Sequence, residues 1–536
     1  MNSEFKISTL KGIYTKKEPV SFCLSGRKFI PGQTDIRLKI SYLDECLEEI
    51  CVEKVSAQVS VTLSTSQYPQ KADGFGCSCT FYKNGRLCGQ ASTAFNFINT
   101  EKQLIRYGFL SDFAPEITNE EDSLNFLAEF HITHVQFYDW AYRPHQYEGP
   151  ASVYTDTMGK VIDSECLKRK ITGCQKRNMK TLGYGAVYAA GAEYQNMHPD
   201  LSLCDMEGTP YNLIDRFFIM DIQRDSPWLN CILTQYRFAL ERAGFDGIHM
   251  DTYGFPKRAF TQREGTLQLV YLEDDFPDLI NEVRNVLGKK AVLIFNNVGN
   301  WPVAATGAAP QDGIYVEVWS PYHTYSHIRQ IILGAAVFDK PVILAAYLAP
   351  FRLEKNKGSR RALNAALILH SVITSLGATH LLAGENGAVL TQGYYNDYSL
   401  LTDSEREHLK EYYDFQVRYL DIFYDTTLSE ISETHTSGEN QEYCFSGCKT
   451  SADGKAGTVW TIVRENKKRK VIVLINLTSQ TDNEWNSGKN DTDPVNQLKI
   501  QIPADGRIFR AFKASPDIKQ GEAQHVQARQ IVNARE

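Results

Sequence analysis

A short apolar strand that ends in a carboxylate, written twice, constrains this chain more than any other feature. Gly247-Ile248-His249-Met250 runs into Asp251 within GFDGIHMDTYG (Gly244–Gly254), and Gly313-Ile314-Tyr315-Val316 runs into Glu317. A charge at the end of a buried run is costly unless the strand delivers it to solvent or to a partner. Strands of this kind, apolar throughout rather than alternating, are those covered on both faces in a parallel sheet. Such sheets collect polar groups at the carboxyl ends of their strands.

The pattern recurs along 104–422. Strands are expected at His134–Trp140, Lys180–Tyr188, Phe217–Asp221, Gly247–Asp251, Ala291–Asn296, Ile314–Val318, Pro341–Tyr347 and His380–Glu385. Helices are expected over Ser164–Arg177, Pro227–Ala243, Asp274–Leu287, Tyr325–Phe338, Arg360–Ser375 and Ser404–Ile422. Eight strands alternating with helices predict a central (β/α)8 barrel, with Asp251 ending the fourth strand and Glu317 near the end of the sixth. Residues 1–103 read as short β segments and predict an Ig-like N-terminal β-sandwich. Residues 423–515 return to β and predict a C-terminal β-sandwich, followed by a polar tail over 516–536. The fold class expected is therefore multidomain α/β, and 536 residues suit a barrel with satellites.

Bulk properties exclude several classes. A net charge of −7 without a long basic run argues against nucleic acid as a partner. No apolar run reaches the length of a membrane span. The start, Met1-Asn2-Ser3-Glu4-Phe5-Lys6, lacks the basic-then-apolar pattern of an export signal, so a cytoplasmic location is expected. The alternative is secretion directed by a signal outside this sequence. The 12 cysteines lack zinc spacing and read as reduced thiols, with Cys444 and Cys448 a candidate hairpin disulfide if the protein is exported. Neither a metal nor a cofactor is expected, and oligomeric state is not written in the sequence.

Polar groups at the expected strand tips are the candidate site. Asp251 and Glu317 form the candidate catalytic pair. A pair of carboxyls at one barrel mouth suits glycosidic cleavage: one attacks or stabilises the anomeric carbon, the other protonates the leaving oxygen and then activates water. Candidate substrate-binding residues are Asp139, Trp140, Tyr184, Asp221, His249, Asn297, Trp319, Tyr347 and Glu385. Trp140 and Trp319 are candidate stacking platforms, and His249 falls on the same strand face as Asp251.

Five blocks in this order, QFYDWAYR (Gln136–Arg143), LGYGAVY (Leu182–Tyr188), GFDGIHMDTYG, YVEVW (Tyr315–Trp319) and HLLAGENG (His380–Gly387), resemble glycoside hydrolase family 66. That family contains endo-dextranases and cycloisomaltooligosaccharide glucanotransferases. The resemblance covers 104–422 well and the flanking β regions loosely. It implies an Ig-like domain, a (β/α)8 barrel and a β-sandwich. It also implies retaining attack on α-1,6-glucosidic bonds of dextran or isomaltooligosaccharides, with Asp251 as nucleophile and Glu317 as acid/base. The barrel segment shows no inserted carbohydrate-binding module, which favours hydrolase over glucanotransferase. A transglycosylase on the same site and a non-catalytic carbohydrate-binding protein are the alternatives.

Overall fold

The structure is a computed structural model that describes residues 4–64, 68–69, 72–98, 104–263, 265–353, 360–504 and 510–526. Its centre is an 11-stranded curled sheet. In chain order its strands are β1 (Tyr107–Leu110), β2 (His134–Phe137), β3 (Lys180–Ala186), β4 (Gly247–Asp251), β5 (Val292–Val298), β6 (Gly313–Glu317), β7 (Val342–Ala345), β8 (Thr379–His380), β9 (Ala383–Gly384), β10 (Ala388–Val389) and β11 (Ser399–Leu400). Neighbours from β1 to β8 pair in parallel, each strand beside the next in sequence. β9 follows β8 after Leu381 and Leu382 and pairs in parallel with β1, while β10 and β11 extend the edge antiparallel.

Helices occupy most of the crossovers, α1 (Glu120–Glu129), α2 (Ser164–Lys176), α3 (Pro227–Phe238), α4 (Leu272–Leu287), α5 (Tyr325–Ala336) and α6 (Arg361–Ser375), and α7 (Asp403–Arg418) follows the last strand. Several carry their start signal in sequence. The Asp163 side chain accepts from the Glu165 and Cys166 amides at the head of α2, Ser226 and Pro227 open α3, and Thr402 with Glu405 forms a capping box on α7.

Strand parity divides the core into two. Outward residues such as Ile248, Met250, Leu293, Phe295 and Val316 pack under the helices, and inward ones such as Tyr107, Leu182, Ile294, Tyr315 and Ile343 form a separate cluster. Parity also explains which tips point inward: Asp251 follows His249 by two, and Glu317 follows Tyr315 by two.

Two expectations about this sheet are corrected. Phe217–Asp221 contributes no strand to it. Phe217–Ile219 pairs antiparallel with Asn212–Leu213 and Ala189–Ala190 in a small separate sheet, and Phe217 and Phe218 are only half-buried. Of the parallel strands, β1 is absent from the sequence reading, its four residues all buried and without alternation, and the short edge strands β10 and β11 are absent too. The two displacements cancel, so Asp251 still ends the fourth strand and Glu317 the sixth.

Residues before the central sheet form two antiparallel sheets, one of 3 strands and one of 4, over a shared core that includes Phe22, Leu38, Phe75 and Phe95. They meet the centre at α7, where Asp414 accepts from Thr93 Oγ1 at 3.0 Å and pairs with His131 Nε2 at 2.7 Å. After α7 the chain forms a hairpin of Val459–Glu465 with Lys470–Asn476 and smaller ladders. The segment after that hairpin docks on the central unit: Trp485 Nε1 donates to Tyr322 O at 2.7 Å, and Ala349 N to Asn486 Oδ1 at 2.9 Å. Over its described residues, 516–526, the stretch expected as a polar tail packs against the fold. Gln524–His525 pairs with Phe512–Lys513, and Tyr419 Oη donates to Gly521 O at 2.8 Å. Among the described residues no helix is long and apolar enough to cross a membrane.

Candidate active site

The site is built where β4, β5 and β6 end together. Register places Met250 beside Phe295 and Val298 beside Glu317, so Asn296 of β5 falls between the two carboxyls. Its side-chain Nδ2 donates to Asp251 Oδ1 at 2.6 Å and to Glu317 Oε2 at 3.1 Å. One amide nitrogen therefore bridges the pair. The outer oxygens have a phenol each: Tyr184 Oη donates to Asp251 Oδ2 at 2.7 Å and Tyr347 Oη to Glu317 Oε1 at 2.7 Å.

Burial is the main electrostatic influence on the pair and pushes both carboxyls above their ordinary range. The Glu317 charge raises Asp251 further, while Asn296, Tyr184 and Tyr347 work in the opposite direction by hydrogen bonding. Two acids coupled this closely titrate as a unit, and the second proton leaves against the charge left by the first. The arrangement can thus hold one proton and one negative charge on neighbouring oxygens, as an acid and a nucleophile require.

The pair opens into a cleft of about 610 Å³ whose walls include Asp139, Tyr184, Phe217, Tyr253, Trp319 and Tyr394. That is a volume in which sugar rings fit. Trp319 is 43% exposed, with its ring centroid 5.7 Å from that of Tyr347, so an indole face borders the cleft beside Glu317. Asp139 is held at a left-handed φ of 49°, and burial, then the nearby Asp156 charge, pushes its carboxyl up to about 7.

Asp139 yields a stability prediction. Its folded value is raised from 3.8 to about 7, so between those limits the folded chain keeps a proton that the unfolded chain has released. Ionising it costs stability as pH climbs through that window. The melting temperature of Asp139→Asn relative to wild type is expected to rise from pH 4 to pH 7 and then level off, as scanning calorimetry at stepped pH would read. A difference independent of pH would show that Asp139 ionises freely.

Of the sequence-predicted residues, the structure brings together Asp251, Glu317, Asp139, Tyr184, Trp319 and Tyr347. It places five others elsewhere. Trp140 is 2% exposed and packs outside the sheet on Tyr147 and Phe245, its Nε1 donating to Tyr184 O. Asn297 has the opposite parity to Asn296, so it turns outward to Tyr315 O and Thr306. Asp221, displaced with its strand, is buried in an ion pair with Arg263 at 2.6 Å. Glu385 is 1% exposed, with both oxygens 2.8 Å from Lys170 Nζ and further donors at Ser111 N and Asp112 N. These bonds use its lone pairs within the fold. His249 lies one layer below Asp251, bonded through Nδ1 to Tyr107 Oη at 3.0 Å, and burial pushes its ring down to about 3, leaving it neutral.

The bridging residue, Asn296, ends the expected strand Ala291–Asn296 but is not among the candidate binding residues, although counting by twos along β5 separates it from Asn297. Tyr394 and Tyr395, brought in by the segment after β10, had no strand-end signal to mark them, whereas Tyr138 lies at the end of the expected strand His134–Trp140 and was passed over.

The family model described as Glycosyl hydrolase family 66 matches residues 11–536. A cycloisomaltooligosaccharide glucanotransferase of Niallia circulans is 22% identical over 590 residues, covering 82% of this chain and 60% of the relative. A dextranase of Streptococcus salivarius is 23% identical over 323 residues, covering 52% of this chain and 39% of the relative. The chain thus spans at most about three fifths of the length of these curated relatives. Among solved structures, a Paenibacillus cycloisomaltooligosaccharide glucanotransferase complexed with cycloisomaltoheptaose superposes with a TM-score of 0.84 at 17% identity, covering 98% of this chain and 96% of that one.

Proposed function

For a chain that belongs to glycosyl hydrolase family 66, we propose hydrolysis of the α-1,6-glucosidic bonds of dextran or isomaltooligosaccharides by double displacement. The names of the relatives, a dextranase and glucanotransferases of cyclic isomaltooligosaccharides, support the linkage. The scaffold is read as a closed (β/α)8 barrel. Supporting this, the run 379–384 has β7 as the neighbour of its first half and β1 as the neighbour of its second.

The observation that carries the mechanism is the Asn296 bridge. Asp251 Oδ1 and Glu317 Oε2 are separated by no more than the sum of 2.6 and 3.1 Å. Inverting enzymes hold their carboxyls about 6.5–9.5 Å apart to admit a water, whereas retaining enzymes use about 5–5.5 Å. The short bridge therefore favours retention. Asp251 attacks the anomeric carbon while Glu317 gives its proton to the leaving O6, so the C1–O6 bond breaks as the ester to Asp251 forms. The vacated carboxylate of Glu317 then takes a proton from water, whose oxygen attacks C1, and the Asp251 ester bond breaks. Protonation states return to the start. Trp319 and Asp139 line the cleft as a stacking face and a hydroxyl partner.

The test is a digest of dextran and of a short isomaltooligosaccharide, with products sized and their anomeric form followed by NMR from the first minutes. Linear isomaltooligosaccharides released as α-anomers are expected. Cyclic or lengthened products would make the chain a glucanotransferase on the same pair. β-Anomers would overturn double displacement, and no turnover of either substrate would overturn the linkage.

Asn296→Ala is expected to lower kcat/KM by roughly 10- to 100-fold, the cost of one hydrogen bond to a charged group in the transition state. Initial rates on the same oligosaccharide check this. A variant within twofold of wild type would show that the bridge does not hold the pair.

A further inference from the structure

Behind Glu317 lies a chain of buried hydroxyls that the double displacement does not use. Tyr347 Oη, 2.7 Å from Glu317 Oε1, also lies 3.4 Å from Tyr395 Oη. Tyr395 Oη lies 2.9 Å from Tyr315 Oη and 3.4 Å from Gln136 Oε1. Tyr315, Tyr347, Tyr395 and Gln136 are each at most 4% exposed. The Tyr395 ring is fixed by stacking on Tyr138 at 4.4 Å. Resting on the reading of Glu317 as acid/base, we infer that Tyr395 is a positioning residue whose hydroxyl offers Tyr347 an alternative acceptor and so favours the protonated form of Glu317.

Tyr347 has one O–H and two acceptors in reach. When Glu317 is ionised, the shorter, charge-assisted bond to Oε1 takes that proton. When Glu317 is protonated, its oxygen is a weaker acceptor, and the O–H turns to Tyr395, whose own proton goes to Tyr315 or Gln136. Tyr395 therefore helps one protonation state of Glu317 and not the other. That state is the one in which Glu317 holds a proton ready for the first step, and the one it regains when it takes a proton from water in the second.

Other groups face this chain from each surrounding strand and segment. Tyr107 comes from β1, Tyr138 and Asp139 from the segment after β2, and Tyr184 from β3. His249 and Asp251 come from β4, and Tyr394 and Tyr398 flank Tyr395. His249 is neutral, and the phenols stay protonated because burial raises them. Asp251 and Asp139 are thus the charges whose titration is coupled to Glu317 or lies near it.

The experiment is an infrared pH titration of the buried carboxyls without substrate, with the Glu317 band assigned by its loss in Glu317→Gln, alongside the pH profile of kcat/KM. Tyr395→Phe keeps the ring and its stacking. It is expected to move the Glu317 titration, and the alkaline limb of the profile, down by on the order of one pH unit. Tyr347→Phe removes the donor to the carboxylate and is expected to move both up by a similar amount. Shifts of opposite sign support the inference. No shift in Tyr395→Phe, or an upward one, overturns it, because the hydroxyl would then be structural or would strengthen Tyr347 as a donor. The infrared titration does not need turnover. An inactive wild type with opposite infrared shifts would therefore sink the proposed reaction and leave the role of Tyr395 standing.

Discussion

Asp251→Asn is expected to leave no more than about one part in 10⁴ of the wild-type kcat on an α-1,6-linked glucan, with the fold intact. The carboxylate that forms the ester has no substitute nearby. Glu317 is held by Tyr347 and Asn296 on the other side of the bridge, and Asp139 keeps its proton up to about 7. The amide of Asn cannot attack C1. Asp251→Ala, measured beside it, guards against deamidation back to Asp. A slow 2-fluoro glucosyl fluoride supplies the second reading: intact-mass and peptide analysis should place the trapped sugar on Asp251 and find none in either variant. A trapped sugar on Glu317, or more than a tenth of wild-type activity in Asp251→Ala, would exchange or remove the assigned roles.

Glu317→Gln has the next largest expected effect, a loss of about 10²- to 10⁴-fold on substrates whose leaving group is a sugar. Its signature lies in the dependence on the leaving group. A sugar alkoxide needs the proton that Glu317 supplies, whereas fluoride leaves without one, so the first step on an α-glucosyl fluoride should survive. The second step then stalls, because no base activates water. Azide, which needs no base, should restore turnover and give the α-azide, since it attacks the Asp251 ester from the face the leaving group vacated. A β-azide would mean direct displacement in a cleft that had lost its nucleophile, and would move that role to Glu317. Equal losses on all leaving groups would show that Glu317 acts by position or charge rather than by proton transfer.

Much of the central sheet is legible in the sequence. β2 to β7 lie where largely apolar runs predicted them, because strands covered on both faces bury most of their side chains. The failures share a cause. β1 is four residues with no alternation and no bounding turn, and only its pairing with β2 and with β9 makes it a strand. Phe217–Ile219 has the apolar look of a central strand, yet it finds partners in a local antiparallel sheet. Local composition is the same in both cases, and long-range pairing decides.

The tips divide in the same way. A carboxylate after a buried run marks Asp251 and Glu317, and it marks Asp221 and Glu385 equally well. What separates them is the partner each meets: Arg263 and Lys170 neutralise the second two inside the fold, whereas the first two face each other across Asn296. Trp140 and Trp319 both follow strand ends, but one packs under a helix layer and the other borders the cleft. The sequence by itself determined which residue types end the parallel strands and, through period-two parity, that Asp251 and Glu317 point to the same side as His249 and Tyr315. The tertiary structure alone decided that a phenol from β3, one from the end of β7 and an amide from β5 converge on those two carboxyls, and that Tyr395 stands behind one of them. The physical reason is register: hydrogen bonding between neighbouring strands sets residues from distant stretches of the chain side by side, and spacing along one strand carries no information about which residue of the next lies opposite.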